Sequence, residues 1–252
     1  MKDPDFMESL ARGLAVMRCF ADSQQPMTIG KASQETGLSR ASVRRCLHTL
    51  AQLGYAAQDG ANYSLRPKTL ALGYAYLSST TLVSKAQPIL DELRDALQES
   101  CSLGVLEEDE VYYVARAEAS RIISIALRAG SRLPLYATSM GRVLLAAMSP
   151  DDRRSYFRKT RLLPLTPHTI TDVARLEDVI QQVAEEGFAL VDQELEINLR
   201  SIAVPVIGRK GVVAAINIGT QVSRVTIPLL RTRFLPKLKQ AARNISAMER
   251  HV

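Results

Sequence analysis

Residues 28–50, TIGKASQETGLSRASVRRCLHTL, decide the fold of the N-terminal part of the chain. Thr28 is a suitable N-cap for one helix, and Gly37 suits the left-handed turn that ends it. A second helix begins after Ser39. Its apolar residues have the spacing of one buried face: Val43, Cys46, Leu47 and Leu50. The stretch therefore predicts two helices joined by a tight turn.

The opposite face of the second helix is basic and carries no acidic residue. A helix that packs on one side and offers arginines on the other has helix-turn-helix geometry, which fits the DNA major groove. We therefore predict binding to double-stranded DNA. The arginines either read guanine edges or hold phosphates. The candidate contacts are Thr28, Ser39, Arg40, Ala41, Ser42, Arg44, Arg45 and His48.

The flanking segments complete a winged helix-turn-helix. A helix is predicted over residues 8–21, with one apolar side made of Leu10, Leu14, Met17 and Phe20. Residues 54–58 and 62–65 flank Asp59-Gly60, which is a strong hairpin signal. This hairpin is the expected wing. From it, Asn62 and Arg66 are expected to reach the DNA backbone or the minor groove.

The segment after the wing is more apolar than a solvated connector needs to be. Pro67 can start a helix at its first turn, and the helix carries Leu70, Leu72, Tyr74, Tyr76 and Leu77. Two alternatives remain open. The helix packs against a partner subunit, because helix-turn-helix proteins usually read paired half-sites as dimers, or it packs within its own chain.

Composition places the chain among globular proteins. It has 252 residues, 46% hydrophobic and 23% charged, with a net charge of +6. Residues 1–78 carry nine Lys and Arg against six Asp and Glu, so they are more basic per residue than the rest, as DNA contact requires. The N-terminus MKDPDFMES lacks a signal-peptide core, and the apolar stretches are shorter than a membrane span. We expect a cytoplasmic protein without membrane contact.

The remaining residues predict an α+β domain with a mainly antiparallel sheet. Strands are predicted at 102–106, 111–116, 122–127, 188–192, 201–207 and 212–218. Helices are predicted at 82–99, 138–148, 150–159, 172–186 and 228–248. A sheet of this kind can be cupped to hold a small ligand.

No motif in the chain indicates an enzyme. The histidines His48, His168 and His251 fall in different predicted elements, and no P-loop, HExxH or nucleophile elbow is present. The three cysteines are too widely spaced for a disulfide framework or a zinc site. We therefore expect no catalytic residue, metal or cofactor. Asp192, Glu194 and Glu196 form an acidic group that either binds a metal or serves as a polar loop with one member paired.

Residues 130–142, GSRLPLYATSMGR, bring a proline-containing loop to a helix start rich in hydroxyls. Amide groups at a helix N-terminus suit a carboxylate; alternatively, Thr138 caps its own helix and the arginines are solvated. A half-buried anion needs a cation or several amide donors. Arg142 is the favoured cation among six candidates: Arg116, Arg121, Arg128, Arg132, Arg142 and Arg200.

Several stretches together resemble the IclR family of bacterial transcriptional regulators. They are ARGLAVMRCF (11–20), TGLSRASVRRCLHTLAQLGY (36–55), LPLYATSMGRVLLA (133–146), TPHTITD (166–172) and SIAVPV (201–206). Their order and spacing cover nearly the whole chain. The stretches GYAYLSS, AQPIL, ESCS and YVAR are similar to the subgroup that controls aromatic-acid breakdown through the β-ketoadipate pathway.

The resemblance implies a winged helix at 1–66, a linker helix at 67–80 and a GAF-like effector and oligomerisation domain at 81–252. It also implies homodimers or homotetramers on palindromic operators, with a small organic acid as effector. Carried over by position, the effector cleft maps to Ser139, Met140, Asp192, Ser201, Asn217 and Gly219, and Arg142 joins them as the favoured cation. Ser201 stands where the family often has cysteine. The alternative is a DNA-binding regulator whose C-terminal domain only oligomerises.

Overall fold

The computed structural model describes residues 3–21, 26–119 and 127–250. The chain divides into two compact units, Met1–Ser79 and Thr80–Val252. No helix among the described residues is long and apolar enough to cross a membrane.

The first unit contains a three-stranded sheet and four α-helices among its described residues. The helices are α1 (Glu8–Arg18), α2 (Ile29–Thr36), α3 (Arg40–Gln52) and α4 (Leu70–Ser79), the last preceded by a 3₁₀ turn (Pro67–Thr69). The strands are β1 (Met27–Thr28), β2 (Ala56–Asp59) and β3 (Asn62–Leu65), in the antiparallel order β1-β3-β2. Strand β1, which pairs with the wing, was not predicted.

Capping residues define the helix-turn-helix as the sequence predicted. The Thr28 hydroxyl accepts a hydrogen bond from the Lys31 amide at 3.2 Å and caps α2. Gly37 ends α2 with φ +69°, a left-handed conformation that glycine adopts without steric cost. The Ser39 hydroxyl accepts from the Ser42 amide at 3.3 Å and caps α3.

The core of the first unit corrects the predicted face of α1. Val16 and Cys19 are buried, together with Val43, Leu47 and Leu50 of α3. Leu10 and Leu14 are instead 58% and 49% exposed, so they do not share the buried side with Met17 and Phe20. The side of α1 that carries Val16 and Cys19 packs in this core, and Leu10 and Leu14 remain on the surface.

Helix α4 exposes the large apolar side chains that made its sequence unusual. Leu70, Leu72, Tyr74 and Tyr76 are 75%, 52%, 70% and 47% exposed. These side chains are therefore not buried by the described residues of the first unit.

The second unit is built on a six-stranded antiparallel sheet with strand order β6-β5-β4-β9-β8-β7. The strands are β4 (Ser100–Glu107), β5 (Glu110–Ala117), β6 (Arg132–Pro134), β7 (Ala189–Asp192), β8 (Leu199–Gly208) and β9 (Gly211–Gln221). The helices are α5 (Thr81–Leu97), α6 (Ser139–Ala147), α7 (Pro150–Lys159) and α8 (Val173–Glu186). The chain ends in α9 (Ile227–Leu229), a π-helical turn (Leu230–Phe234) and α10 (Leu235–Arg250).

Helices cover both faces of this sheet. Helices α5 and α10 pack on one face, where Leu90, Leu93 and Leu238 join inward residues of the central strands. Helix α6 covers the other face through Met140, Leu145 and other apolar residues, and α8 packs against α6. The α+β fold with an antiparallel sheet flanked by helices agrees with the sequence prediction.

The predicted strand at 122–127 lies outside the described residues, except for Leu127, which is not in a strand. Within the 130–142 segment, residues 132–134 form edge strand β6 and pair with β5, whereas the sequence reading treated the whole approach to α6 as a loop. The Thr138 hydroxyl accepts from the Gly141 amide at 3.1 Å and caps α6, which is one part of the alternative stated for this segment.

Gly141 allows the chain before α6 to cross directly over the helix. A Cβ at this position would lie 2.2 Å from the Leu135 carbonyl oxygen and 2.4 Å from its Cα. We expect Gly141→Ala to lower the free energy of unfolding by about 1–3 kcal/mol, since backbone atoms must shift. Urea denaturation followed by circular dichroism measures this change.

Gly219→Ala is the matched control in the same unit, because a Cβ at Gly219 meets no atom within 4 Å. We expect the control to change the free energy by less than about 0.5 kcal/mol. Equal stability of the two variants would contradict the close approach at Gly141.

Candidate functional site

A cavity of about 90 Å³ lies in the second unit between the sheet and the start of α6. A single buried water needs only about 10–15 Å³ on the same measure, so the cavity has room for a small organic molecule. Its floor is the sheet, and its walls are residues 137–139 and the segment from Val191 to Leu199. Glu99 and Arg224 also line it.

Strand register brings the floor residues together in two rows. In the first row, Ser102 lies opposite Arg116 on one side and opposite Asn217 on the other. In the second row, Gly219 lies between Ser100 and Ser201. Four of the residues carried over from the family therefore line one cavity: Ser139, Ser201, Asn217 and Gly219.

A β-bulge brings Arg116 to the cavity. Leu103 pairs with Ala115, but the next residue, Gly104, pairs with Tyr113, so Val114 is the extra residue of β5. Simple alternation would put Tyr113 and Arg116 on opposite faces of the sheet. The bulge shifts the alternation by one residue, and both side chains line the cavity.

The start of α6 supplies the polar wall. Ser139 is the first residue of the helix and is 1% exposed. Its hydroxyl oxygen is buried and has no hydrogen-bond partner in the structure. First-turn amides and the positive end of the helix dipole favour an anion at this position.

Positive charge lines the cavity at two positions. Arg116 donates from Nη1 to the Ser102 hydroxyl at 3.0 Å, and its Nη2 lies 3.9 Å from the Glu118 carboxylate. Arg224 is already neutralised, because its Nη2 lies 2.8 and 2.6 Å from the two carboxylate oxygens of buried Glu99. Arg116 is therefore the cation better placed to receive an added anion.

Tyr113 keeps its proton at every working pH. Burial raises the pKa of its hydroxyl to about 12, although the Arg116 charge and a hydrogen bond with Asn217 act in the opposite direction. The phenol therefore remains a neutral hydrogen-bonding group of the cavity.

The cavity concentrates polar atoms that lack partners. Four buried side-chain nitrogen or oxygen atoms in the described residues have no hydrogen bond: Arg116 Nε, Ser139 Oγ, Asn217 Oδ1 and Glu249 Oε1. The first three belong to residues that line this cavity. An unmet buried polar atom is costly, so a polar molecule or an ordered water in the cavity would stabilise all three atoms.

Three of the predicted effector residues do not line the cavity. Met140 is fully buried in the core between α6 and the sheet. Arg142 is 2% exposed and pairs with Glu194 at 2.6 Å. Asp192 accepts two hydrogen bonds from Arg200, at 2.9 and 2.8 Å. The guanidinium of Arg142 is therefore paired with a carboxylate of the protein, and Arg142 is not among the residues that line the cavity.

Of the remaining candidate arginines, those that the structure describes are also absent from the cavity lining. Arg200 is held by Asp192, Arg132 lies 3.5 Å from Glu110 at the surface, and Arg128 is exposed. Arg121 lies outside the described residues. Within the described part of the chain, no cluster of His, Cys, Asp or Glu could hold a metal, and Asp192 and Glu194 are paired with arginines.

Sequence reasoning missed Tyr113, Glu99 and Arg224 as cavity residues. Glu99 follows the left-handed residue Gln98 (φ 57°) that separates α5 from β4, and Arg224 lies in the turn after β9. The residues are 125 positions apart, and no local spacing signals that they meet. Tyr113 could have been found only if the bulge had been recognised.

The first unit presents the predicted basic face. Arg40, Ala41, Arg44, Arg45 and His48 are all exposed on α3, whereas Val43, Leu47 and Leu50 are buried. Three of the four residues predicted for the buried face of α3 are therefore buried, and the fourth, Cys46, is partly buried.

The exposed side of α3 borders two different grooves. Arg40, Ala41 and Arg44 lie beside Ile29 and Gly30 at the start of α2. Arg45 and Ser42 instead border the groove towards α1, next to Arg12. Arg44 and Arg45 therefore occupy different sides of the helix.

The wing also presents its candidate residues to solvent. Asn62 opens β3 and lies opposite both Thr28 of β1 and Asp59 of β2. Both Asn62 and Arg66 are exposed. Pairing with β1 therefore attaches the wing to the first residues of the helix-turn-helix.

The two units define a class of protein, a winged-helix DNA-binding regulator with a second, cavity-bearing unit. Residues 9–60 match the profile described as the IclR helix-turn-helix domain, and residues 74–247 match that described as the C-terminal part of the bacterial transcriptional regulator IclR. The chain belongs to the IclR family of transcriptional regulators. The family inferred from the sequence is confirmed.

Proteins similar to this chain are described as regulators. The Pca regulon regulatory protein of Pseudomonas putida is 51% identical over 245 residues, which are 96% of this chain and 84% of the relative. A protein of Rhodococcus sp. RHA1 described as a transcriptional regulator is 42% identical, with a TM-score of 0.85 over 97% of this chain and 98% of its own.

A further solved structure contains a ligand. It is a doubly mutated inducer-binding domain of the PobR transcription factor from Acinetobacter, in complex with 3-hydroxybenzoic acid. It is 32% identical to this chain, with a TM-score of 0.63, and the match covers 66% of this chain and 98% of that domain.

Proposed function

We propose that the protein controls aromatic-acid catabolic genes and senses a small aromatic or dicarboxylic acid in the cavity of its second unit. The observation that carries the proposal is the convergence of three partnerless polar atoms, on Arg116, Ser139 and Asn217, at one cavity. The names of the Pca regulon regulator and of the 3-hydroxybenzoate-bound domain support the class of effector.

The proposed recognition is that of a carboxylate by a cation and a helix start. The Arg116 guanidinium and the Ser139 hydroxyl face the acid together with the first amides of α6, and charge-assisted hydrogen bonds of this kind are the strong ones. The apolar residues Leu127, Val191 and Leu195 line the same cavity and suit a ring or an alkyl chain. Asn217 and Tyr113 remain for a hydroxyl or keto group.

The output of this sensor is DNA binding through α3. We propose that Arg40, Ala41, Arg44 and His48 enter the major groove, and that Thr28, Ser39, Ser42 and Arg45 lie near the phosphates. Asn62 and Arg66 of the wing then contact the flanking backbone or minor groove. Because its target is DNA, we place the protein in the cytoplasm.

We further propose that the protein acts as a homodimer or homotetramer on palindromic operators and that it is not an enzyme. The exposed apolar residues Leu70, Leu72, Tyr74 and Tyr76 of α4 are the surface that a second copy would cover. The boundaries proposed from the sequence, 1–66, 67–80 and 81–252, set this helix apart as the linker.

Binding of an acid to the wild-type protein tests the sensor. We expect at least one acid in a panel of aromatic and dicarboxylic acids to raise the melting temperature, since a ligand at 100 times its Kd adds about 2.7 kcal/mol of stability. Arg116→Met and Ser201→Phe should remove the shift, the first by deleting the cation and the second by filling the cavity.

Arg132→Met is the matched control, because it removes the same charge from an exposed position outside the cavity lining. It should keep the shift. A panel without any shift would instead favour the alternative, a second unit that only oligomerises.

Arg44 tests the DNA-binding face. We expect Arg44→Ala to weaken binding to a duplex selected from random DNA by the wild-type protein by about tenfold or more, the effect of losing a base contact. Fluorescence anisotropy at matched salt measures the affinity.

Arg18→Ala is the control for charge alone, since Arg18 is an exposed arginine of α1 in the same unit. It should retain most of the affinity for the selected duplex. Wild-type affinity of Arg44→Ala would refute the assignment of α3, whereas equal losses in both variants would reduce the role of Arg44 to its charge.

A further inference from the structure

One buried ion pair connects the two walls of the cavity. Arg142, in the first turns of α6, and Glu194, in the segment after β7, are 2% and 6% exposed. Arg142 Nη2 donates to Glu194 Oε2 at 2.6 Å. Neither residue lines the cavity, yet each belongs to a segment that does, because Ser139 and Leu195 are wall residues.

Each partner also holds the backbone of a neighbouring segment. Arg142 Nε donates to the Tyr136 carbonyl at 3.0 Å, which fixes the chain just before the helix start. Glu194 Oε2 accepts from the Ile170 amide at 3.0 Å. The planar guanidinium thus joins one wall to the other through two of its nitrogens.

Two threonines hold the wall that follows β7 by hydrogen bonds to its backbone. Thr169 donates its hydroxyl to the Glu194 carbonyl at 2.6 Å, and Thr166 donates to the Gln193 carbonyl at 2.6 Å. Gln193 has φ +62°, a left-handed conformation that a non-glycine residue rarely adopts. These contacts hold this turn in an otherwise disfavoured geometry.

We propose that Arg142 and Glu194 are positioning residues that set the distance between the helix start at Ser139 and the wall at Leu195, and so the fit of the acid. This proposal rests on the proposed function. A buried ion pair adds little stability relative to apolar side chains of the same volume, so its benefit lies in a fixed geometry. The pair acts on the acid through the walls and makes no contact with it.

Hydrogen exchange without any acid provides the first test. We expect Arg142→Met and Glu194→Ala to speed amide exchange about tenfold or more in both walls, residues 135–141 and 193–199, because each removes a contact that holds them. Glu194→Gln should keep slow exchange, since its amide oxygen still accepts from Arg142 and Ile170. Faster exchange in only one wall, or across the whole second unit alike, would overturn the proposal.

Glu177→Ala is the matched control. Glu177 of α8 pairs with Arg153 of α7 at 2.7 Å, and neither residue lines the cavity. This variant loses an ion pair of the same unit and should leave exchange in both cavity walls unchanged. Faster exchange there in this control would show a general structural effect and would also overturn the proposal.

Calorimetric titration with 3-hydroxybenzoate provides the second test. If the wild-type protein binds it, Arg142→Met should weaken binding about tenfold or more, whereas Glu194→Gln and Glu177→Ala should bind as the wild type does. Unchanged affinity in Arg142→Met would overturn the positioning role. If the wild-type protein binds no acid, the proposed function fails, and the exchange experiment alone decides whether the pair joins the walls.

Discussion

The register shift between β4 and β5 is the constraint on which the cavity depends. Without the extra residue Val114, alternation along β5 would turn Arg116 towards α5 and leave Tyr113 alone on the cavity side. With it, Val114 and Ala115 both pack in the core under α5, and a cation enters a largely uncharged floor. One inserted residue thus places a cation in the lining of the cavity, where the acid is proposed to bind.

The arginines in and around the cavity differ in how closely each is paired with a carboxylate. The cations Arg142, Arg200 and Arg224 are matched by Glu194, Asp192 and Glu99, so they build structure. Arg116 has a weaker match, with Glu118 at 3.9 Å and a buried Nε that has no partner. Because stability alone favours satisfied polar groups, the exception at Arg116 supports the proposal that this residue binds the acid.

Short-range sequence patterns predicted the helix-turn-helix, but they did not predict contacts between residues that are far apart in the sequence. Thr28, Gly37 and Ser39 act through neighbours within three residues, so sequence spacing was enough to place the helix-turn-helix. Leu10 and Leu14 fit a helical period but lie on the exposed side, since period alone does not select the stripe that packs. The ion pair of Arg142 was not predicted, because its partner, Glu194, is 52 residues away.

Sensing requires that the acid stabilise one state of the protein more than another. A carboxylate that binds Arg116 and Ser139 equally in every state would change the melting temperature without changing operator affinity. The wall contacts of Arg142 and Glu194 matter for this reason: if only one state holds the two walls at the correct distance, only that state satisfies the buried polar atoms. The difference in binding free energy between the states then sets the largest change in operator affinity that the acid can cause.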